Sequence, residues 1–241
     1  MTPFCFQRRG FILRSPFRHT MKLFLDTANL EQIRKLNQMG LVDGVTTNPT
    51  LVAREQGEFE EIILSICREV KGDVSAEAVS TIHDGMVSEA QHLSSLAPNV
   101  VVKLPCIPEG LRATKTVSSK GIRVNMTLVF SANQGLLASK AGASFISPFI
   151  GRLDDVGQRG MEVVEDLVEI RNNYQLKSQV LVGSIRHPQH VLEAAKIGAD
   201  IATMPPEVME KMMQHPLTDA GLKRFLEDWQ KAKKAKPSIT V

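Results

Sequence analysis

The sequence predicts a single α/β domain, a closed (β/α)8 (TIM) barrel followed by one extra C-terminal helix. Three observations carry that expectation. From Met21 onward, short β-branched or apolar runs alternate with helical patterns, the signature of βα units around a parallel sheet. Eight such units fit within roughly 220 residues, the ordinary size of the barrel. A chain of 241 residues with 43% hydrophobic content can also bury one large core. An open doubly wound sheet is the structural alternative. It is disfavoured because no GxGxxG turn follows the first strand, where the chain reads Asp26-Thr27-Ala28-Asn29.

The elements follow in order. Strand Lys22–Ala28 leads to helix Leu30–Met39, and Gly44–Asn48 leads to Glu58–Val70. Strand Asp73–Val79 precedes helix Gly85–Leu96, and Val100–Pro105 precedes Gly110–Ser119. Strands Arg123–Phe130 and Phe145–Gly151 precede helices Ala132–Ala141 and Asp155–Asn172. The last two units are Gln179–Arg186 with His187–Ile197 and Ile201–Pro205 with Glu207–Gln214. Several helices finish near a glycine (Gly40, Gly121, Gly142, Gly198), a common way for a helix to stop. The extra helix, Thr218–Lys231, carries the only Trp, Trp229, and the lysine-rich tail Lys231–Val241 reads as a solvated end.

Composition narrows the function. Four of the 29 Lys and Arg lie in residues 1–20 (Arg8, Arg9, Arg14, Arg18), leaving 25 against 26 Asp and Glu in the remainder. That near-neutral body gives no electrostatic case for nucleic acid or a membrane surface. No apolar run approaches the ~18 residues of a spanning helix. Residues 1–20 are acid-free and hold four of the ten phenylalanines. They are expected to form an extension outside the barrel domain 21–241. Of two readings, an organelle transit peptide or a start placed upstream of Met21, the second is favoured, because Met21 directly precedes a clean strand. Cys5, Cys67 and Cys106 show no CxxC spacing and cannot all pair, which points to a reducing compartment, the cytoplasm. The six histidines form no HxH or HExxH arrangement, so neither a metal nor another cofactor is expected.

Lys103 is the residue that stands out. It interrupts the apolar run Val100-Val101-Val102-Lys103-Leu104-Pro105, and burial disfavours an ammonium, making a nucleophilic amine accessible near neutral pH. A strand-end lysine whose stem packs while its head reaches water is the plainer alternative. Other polar groups share its setting. Residues two apart on a strand face the same way, and Thr46 with Asn48, Asn125 with Thr127, Ser147 with Phe149, and Ser184 with Arg186 form such pairs at strand ends. Asp26 and Glu77 end two more strands. As isolated residues these are unremarkable: Asp26 could cap the following helix, and Asn125-Met126-Thr127 even matches a glycosylation triplet, although its place inside a strand opposes that use. Together they put polar groups from seven of eight strands on one rim, the catalytic face of such a barrel. Glu77 and Thr127 on strands flanking Lys103 suit imine chemistry, and Arg152, Ser184 and Arg186 suit a phosphate clamp, with an Arg152 surface ion pair to Asp154 or Asp155 as the competing reading.

Six segments carry a resemblance. Asp26-Thr27-Ala28-Asn29, Val45-Thr46-Thr47-Asn48-Pro49-Thr50-Leu51, Val101-Val102-Lys103-Leu104-Pro105, Asn125-Met126-Thr127-Leu128-Val129-Phe130-Ser131, Ser147-Pro148-Phe149-Ile150-Gly151-Arg152 and Gly183-Ser184-Ile185-Arg186 resemble the motifs of the transaldolase family. They are similar to its short form, which includes the fructose-6-phosphate aldolases, and run in family order from Met21 to about Trp229. The resemblance implies a metal-free Schiff-base transferase of the pentose phosphate pathway acting on sugar phosphates such as fructose 6-phosphate or sedoheptulose 7-phosphate. It implies Lys103 as the imine-forming residue, Asp26 as the proton carrier at C4, and Glu77 with Thr127 and a water at the imine. It further implies Thr46, Asn48, Asn125 and Ser147 around the dihydroxyacetone unit, and Arg152, Ser184 and Arg186 at the phosphate. A homo-oligomer, a decamer of two pentameric rings, is also implied. Fructose-6-phosphate aldolases resemble this chain with Tyr at Phe149 and Gln at Glu77, whereas transaldolases carry Phe and Glu, which favours transfer over release of free dihydroxyacetone. A catalytically silent sugar-phosphate-binding barrel is the distant alternative.

Overall fold

A computed structural model describes residues 20–235, so most of the expected N-terminal extension (1–19) and the end of the tail (236–241) lie outside the described residues. Eight parallel strands close into a barrel in the order β1 to β8, with β8 paired back onto β1. The strands are β1 (Lys22–Asp26), β2 (Gly44–Thr46), β3 (Asp73–Glu77), β4 (Val100–Pro105), β5 (Val124–Val129), β6 (Phe145–Pro148), β7 (Gln179–Val182) and β8 (Ile201–Met204). The helices are α1 (Leu30–Asn37), α2 (Pro49–Val52), α3 (Phe59–Glu69), α4 (His83–Leu96), α5 (Pro108–Ser118), α6 (Ala132–Ala141), α7 (Ile150–Asp155), α8 (Gly160–Tyr174), α9 (Pro188–Ile197), α10 (Pro206–Met212) and α11 (Pro216–Ala235).

Alternation along each strand divides the core in two. Outward-facing Leu25, Val45, Val74, Val102, Met126, Val180 and Ala202 join the helix faces in one large apolar cluster. Inward-facing Phe24, Val101, Phe145, Leu181 and Ile201 form a separate cluster that fills the barrel interior. Phe24 fits there because β2 opens with Gly44, where a Cβ would meet the Phe24 ring at 2.5 Å and the Asp73 carbonyl oxygen at 2.6 Å. The next inward position along β4 above Val101 is Lys103. Because both faces of these strands are buried, β4 reads as nearly continuous apolar sequence.

Several boundaries differ from expectation. Strands β2, β6 and β7 end two to four residues early because the chain turns out of the ladder. Asn48 starts α2, accepting a hydrogen bond from the Leu51 N–H with Pro49 in the first turn. Ser184 takes a left-handed backbone (φ 59°), and beyond the last ladder pair only Phe149 bridges to Gly183. The expected helix Asp155–Asn172 starts later, as α8 at Gly160, and a short helix not expected from the sequence, α7, precedes it. The break lies at Gly157 (φ 78°), and the Gly160 N–H donates to Asp154 Oδ1 at 3.0 Å to begin α8. Helix α11 follows the eighth unit as expected, and none of its residues is buried.

Candidate active site

The strand C-termini surround a chamber of about 560 Å³. It is lined by every residue singled out from the sequence as a site candidate: Asp26, Thr46, Asn48, Glu77, Lys103, Asn125, Thr127, Ser147, Phe149, Arg152, Ser184 and Arg186. Lys103 is 4% exposed, so its head does not snorkel to bulk water. Glu77 and Lys103 are direct partners in the β3–β4 register, and their side chains meet with Nζ 2.9 Å from Glu77 Oε2. Lys103 Nζ also donates to the Thr47 carbonyl at 3.0 Å. Two of its three hydrogens are thereby directed at oxygen, and the amine stands in a walled chamber beside a proton acceptor.

Asp26 ends β1 on the same face. Thr46 donates to Asp26 Oδ1 at 2.8 Å. Burial pushes the Asp26 carboxyl above its ordinary value; Lys103 and the Thr46 hydrogen bond pull the other way, and Glu77 adds to the rise. The helix-cap alternative fails for Asp26. Asn29 caps α1 by accepting from the Gln32 N–H, and Thr27 Oγ1 accepts from the Asn29 N–H. Asn48, in contrast, both lines the chamber and caps α2.

On the opposite wall, Ser147 donates to Asn125 Oδ1 at 2.8 Å and Asn125 Nδ2 donates to Ser75 Oγ at 3.1 Å, which fixes the amide's orientation. Thr127 is fully buried and its hydroxyl has no partner among the described residues. A buried hydroxyl without a partner carries a desolvation penalty unless something from solvent or substrate meets it, so this group is available to a ligand. Nearby, Leu128 holds φ 57° where the β5–β6 register shifts between Met126 and Val129. With Ser184, it places left-handed backbone at two points on the chamber wall, a strain that the surrounding structure must hold.

Phe149 packs edge-on to Phe130, with ring centroids 6.2 Å apart, and presents its ring 6.0 Å from Lys103 Nζ and 5.2 Å from Arg152 Cζ. Arg152 and Arg186 share the rim by β6 and β7. The surface ion pair considered for Arg152 belongs to Arg186 instead, whose Nη2 lies 2.7 Å from Asp155 Oδ2, while Asp154 faces His190 at 3.3 Å. Cys106 sits outside this chemistry: burial pushes its thiol up, and its Sγ faces the Gln134 carbonyl at 3.9 Å.

Sequence reasoning missed Thr203 on β8, Ser75 on β3 and Arg54 after α2, all close to the chamber groups. Parity was the available signal for the first two. Ser75 is two residues before Glu77, and Thr203 two after the inward Ile201.

The family described as Transaldolase/Fructose-6-phosphate aldolase matches residues 23–236. A "Probable transaldolase" of Nitrosopumilus maritimus is 57% identical over 92% of this chain and all of that protein. Another of Petrotoga mobilis is 59% identical over 88% of this chain and 96% of its own length. Among solved structures, a thiamine phosphate pyrophosphorylase from Pyrococcus furiosus superposes with a TM-score of 0.53 at 18% identity, over 76% of this chain and 85% of that one, a likeness of fold alone. With its motifs gathered around one chamber and this extent of similarity, the chain belongs to the transaldolase/fructose-6-phosphate aldolase family.

Proposed function

We propose that the protein is a transaldolase that moves a dihydroxyacetone unit from fructose 6-phosphate or sedoheptulose 7-phosphate to an aldose phosphate through a Schiff base on Lys103. The observation that carries this is the buried Lys103 amine 2.9 Å from Glu77 inside a polar chamber. Glu77 takes a proton from the attacking ammonium, and Nζ adds to the C2 carbonyl. Protonation of the carbinolamine oxygen lets water leave, with Glu77 as acid and the unpartnered Thr127 hydroxyl holding that oxygen or the water. Asp26 then takes the C4 hydroxyl proton. The C3–C4 bond breaks into the iminium as electron sink, giving an enamine on Lys103 and a free aldose phosphate. Addition of the enamine to an acceptor aldehyde, with Asp26 returning the proton, reverses the sequence.

The hydrogen-bonding inventory divides the remaining roles. Ser147 retains lone pairs, Asn125 one amide hydrogen and Asn48 its amide NH2 for the hydroxyls of the three-carbon unit, whereas the Thr46 hydrogen is directed at Asp26. Arg152, Ser184 and Arg186 bind the phosphate, with the substrate competing against Asp155 for Arg186. Phe149 has no proton to give the enamine, which favours transfer over release of dihydroxyacetone. Transfer between sugar phosphates supports a role in the pentose phosphate pathway, and the free Cys67 and Cys106 support a reducing compartment, the cytoplasm. Helix α11 exposes Leu222, Phe225, Leu226 and Trp229 at helical spacing, which supports a homo-oligomer, a decamer of two pentamers, in which this stripe packs on a neighbouring subunit.

Incubation with fructose 6-phosphate and borohydride should add a reduced dihydroxyacetone unit to the Lys103 peptide, and Lys103→Met should abolish labelling and turnover. Labelling that persists in Lys103→Met overturns the assignment. With erythrose 4-phosphate present, sedoheptulose 7-phosphate should form faster than free dihydroxyacetone appears. If dihydroxyacetone is released as fast as it is transferred, the protein is an aldolase instead.

A further inference from the structure

Beneath Asp26 runs a chain of two hydroxyls with a defined direction. Thr46 Oγ1 lies 2.8 Å from Asp26 Oδ1 and 2.6 Å from Thr203 Oγ1, and Thr46 and Thr203 are only 2% and 4% exposed. A threonine hydroxyl has one hydrogen. An ionised carboxylate only accepts, so the Thr46 hydrogen goes to Asp26 and the 2.6 Å contact must be made with the Thr203 hydrogen. In the reverse direction a protonated Asp26 donates to Thr46 and Thr46 to Thr203. The Thr203 hydrogen then needs a third acceptor, and among the described residues its hydroxyl has no hydrogen-bond partner except Thr46. Among the described residues the chain is therefore satisfied by protein groups in one polarity only, with both hydrogens pointing toward the carboxylate.

We propose that Thr203 is a positioning residue for the aldol proton transfer, donating into Thr46 so that the Thr46 hydrogen is committed to Asp26, which stays ionised and aimed at the C4 hydroxyl. This rests on the assignment of Asp26 as the proton carrier. The need for such support is physical. Burial opposes ionisation of Asp26, and the charged groups facing it act in opposite senses, Lys103 from β4 favouring the carboxylate and Glu77 from β3 opposing it. Hydrogen bonds to a charged group are the strong ones, and a chain of them in a low-dielectric interior polarises cooperatively. β8 is thereby an active wall of the site, the one strand from which no site residue was expected.

The test is Thr203→Val, which keeps the branched shape and removes the donor. Turnover with fructose 6-phosphate and erythrose 4-phosphate should fall about tenfold, the typical effect of losing a hydrogen bond that acts on a charged group. The KM for fructose 6-phosphate should stay within about twofold. The acid limb of the kcat/KM profile should move to higher pH, because a less supported carboxylate protonates sooner, while borohydride labelling of Lys103 is unchanged. Thr203→Ser should restore both turnover and the limb, and Thr203→Cys, a weaker donor of the same size, should fall between. Should Thr203→Val fold poorly, the Ser and Cys variants give the same ranking by themselves. An unmoved acid limb in the Val variant, or a Ser variant that fails to restore it, overturns the proposal and leaves Thr203 a packing residue. Asp26→Asn run alongside separates the two failures. If Asp26→Asn is inactive while Thr203→Val behaves as the parent, the relay alone is wrong; near-parental turnover in Asp26→Asn removes the proton-carrier assignment and the relay with it.

Discussion

Gly151→Ala should loosen the proposed phosphate clamp without removing any charged group. The Gly151 N–H donates to the Ser184 carbonyl at 3.1 Å, and a Cβ at this position would stand 2.2 Å from that oxygen and 2.6 Å from Arg186 Nε. Ordinary contact begins near 3.4 Å, so the segment bearing Ser184 and Arg186 must retreat by about 1.2 Å, from 2.2 to 3.4 Å. Backbone oxygen cannot rotate aside as a flexible side chain can. A misplacement of about 1 Å can lower catalysis ~10²-fold, so kcat/KM for fructose 6-phosphate should drop by about that factor. Overpacking of this kind costs about 1–3 kcal/mol, and at this chain length each kcal/mol lowers Tm by about 2–4 °C. Borohydride trapping with unphosphorylated dihydroxyacetone should be nearly unaffected, because it does not use the clamp. Gly221→Ala is the control: among the described residues nothing lies within 4 Å of a Cβ there, and in helix α11 alanine is better than glycine by ~1 kcal/mol, so activity and Tm should not fall. A Gly151→Ala enzyme with parental kcat/KM for fructose 6-phosphate and parental Tm would refute the reasoning.

Asp26→Asn should raise Tm at neutral pH while removing turnover. The folded-state pKa of Asp26 lies above its ordinary 3.8, so ionising it opposes folding; the gain from Asn should fade as pH falls through the raised value toward 3.8, and melting curves across that window check the sign. Asp155→Asn frees Arg186 from an exposed ion pair, and the KM for fructose 6-phosphate should fall about twofold to fivefold with little change in Tm. A rise in KM would mean that Asp155 orients the guanidinium rather than competing with substrate. Phe149→Tyr should increase dihydroxyacetone release relative to transfer, measured with and without erythrose 4-phosphate, and an unchanged ratio removes Phe149 from the partition.

Strand order and twelve of the chamber residues are legible in the sequence because both follow from local pattern. Val100–Pro105 and Ala132–Ala141 match their expected bounds, since a doubly buried strand and a helix between Ser131 and Gly142 mark their own ends. The ends of β6 and β7 are not legible, because the chain turns straight into α7 after Phe149 and goes left-handed at Ser184, while apolar Phe149, Ile150 and Ile185 give no sign of either turn. Helix α2 was legible in principle: Asn48-Pro49 is a cap followed by a first-turn proline. The Asp155–Arg186 pair was not, because 31 residues separate its partners and Arg152 offered a nearer charge. Thr203 is not legible, because a single threonine on a short strand carries little weight without Thr46 beside it.

The plug of Phe24, Val101, Phe145, Leu181 and Ile201 has a kinetic consequence. It fills the barrel beneath Lys103, so among the described residues the way to the amine is the mouth above it, by which a substrate enters and leaves. With the three-carbon fragment bonded to Nζ as proposed, the departing aldose must clear that doorway before the accepting aldose can enter. The two aldehydes take turns. Initial rates measured against donor at several acceptor concentrations should then give parallel double-reciprocal lines, and each aldose should compete with the other for the same occupied form of the enzyme.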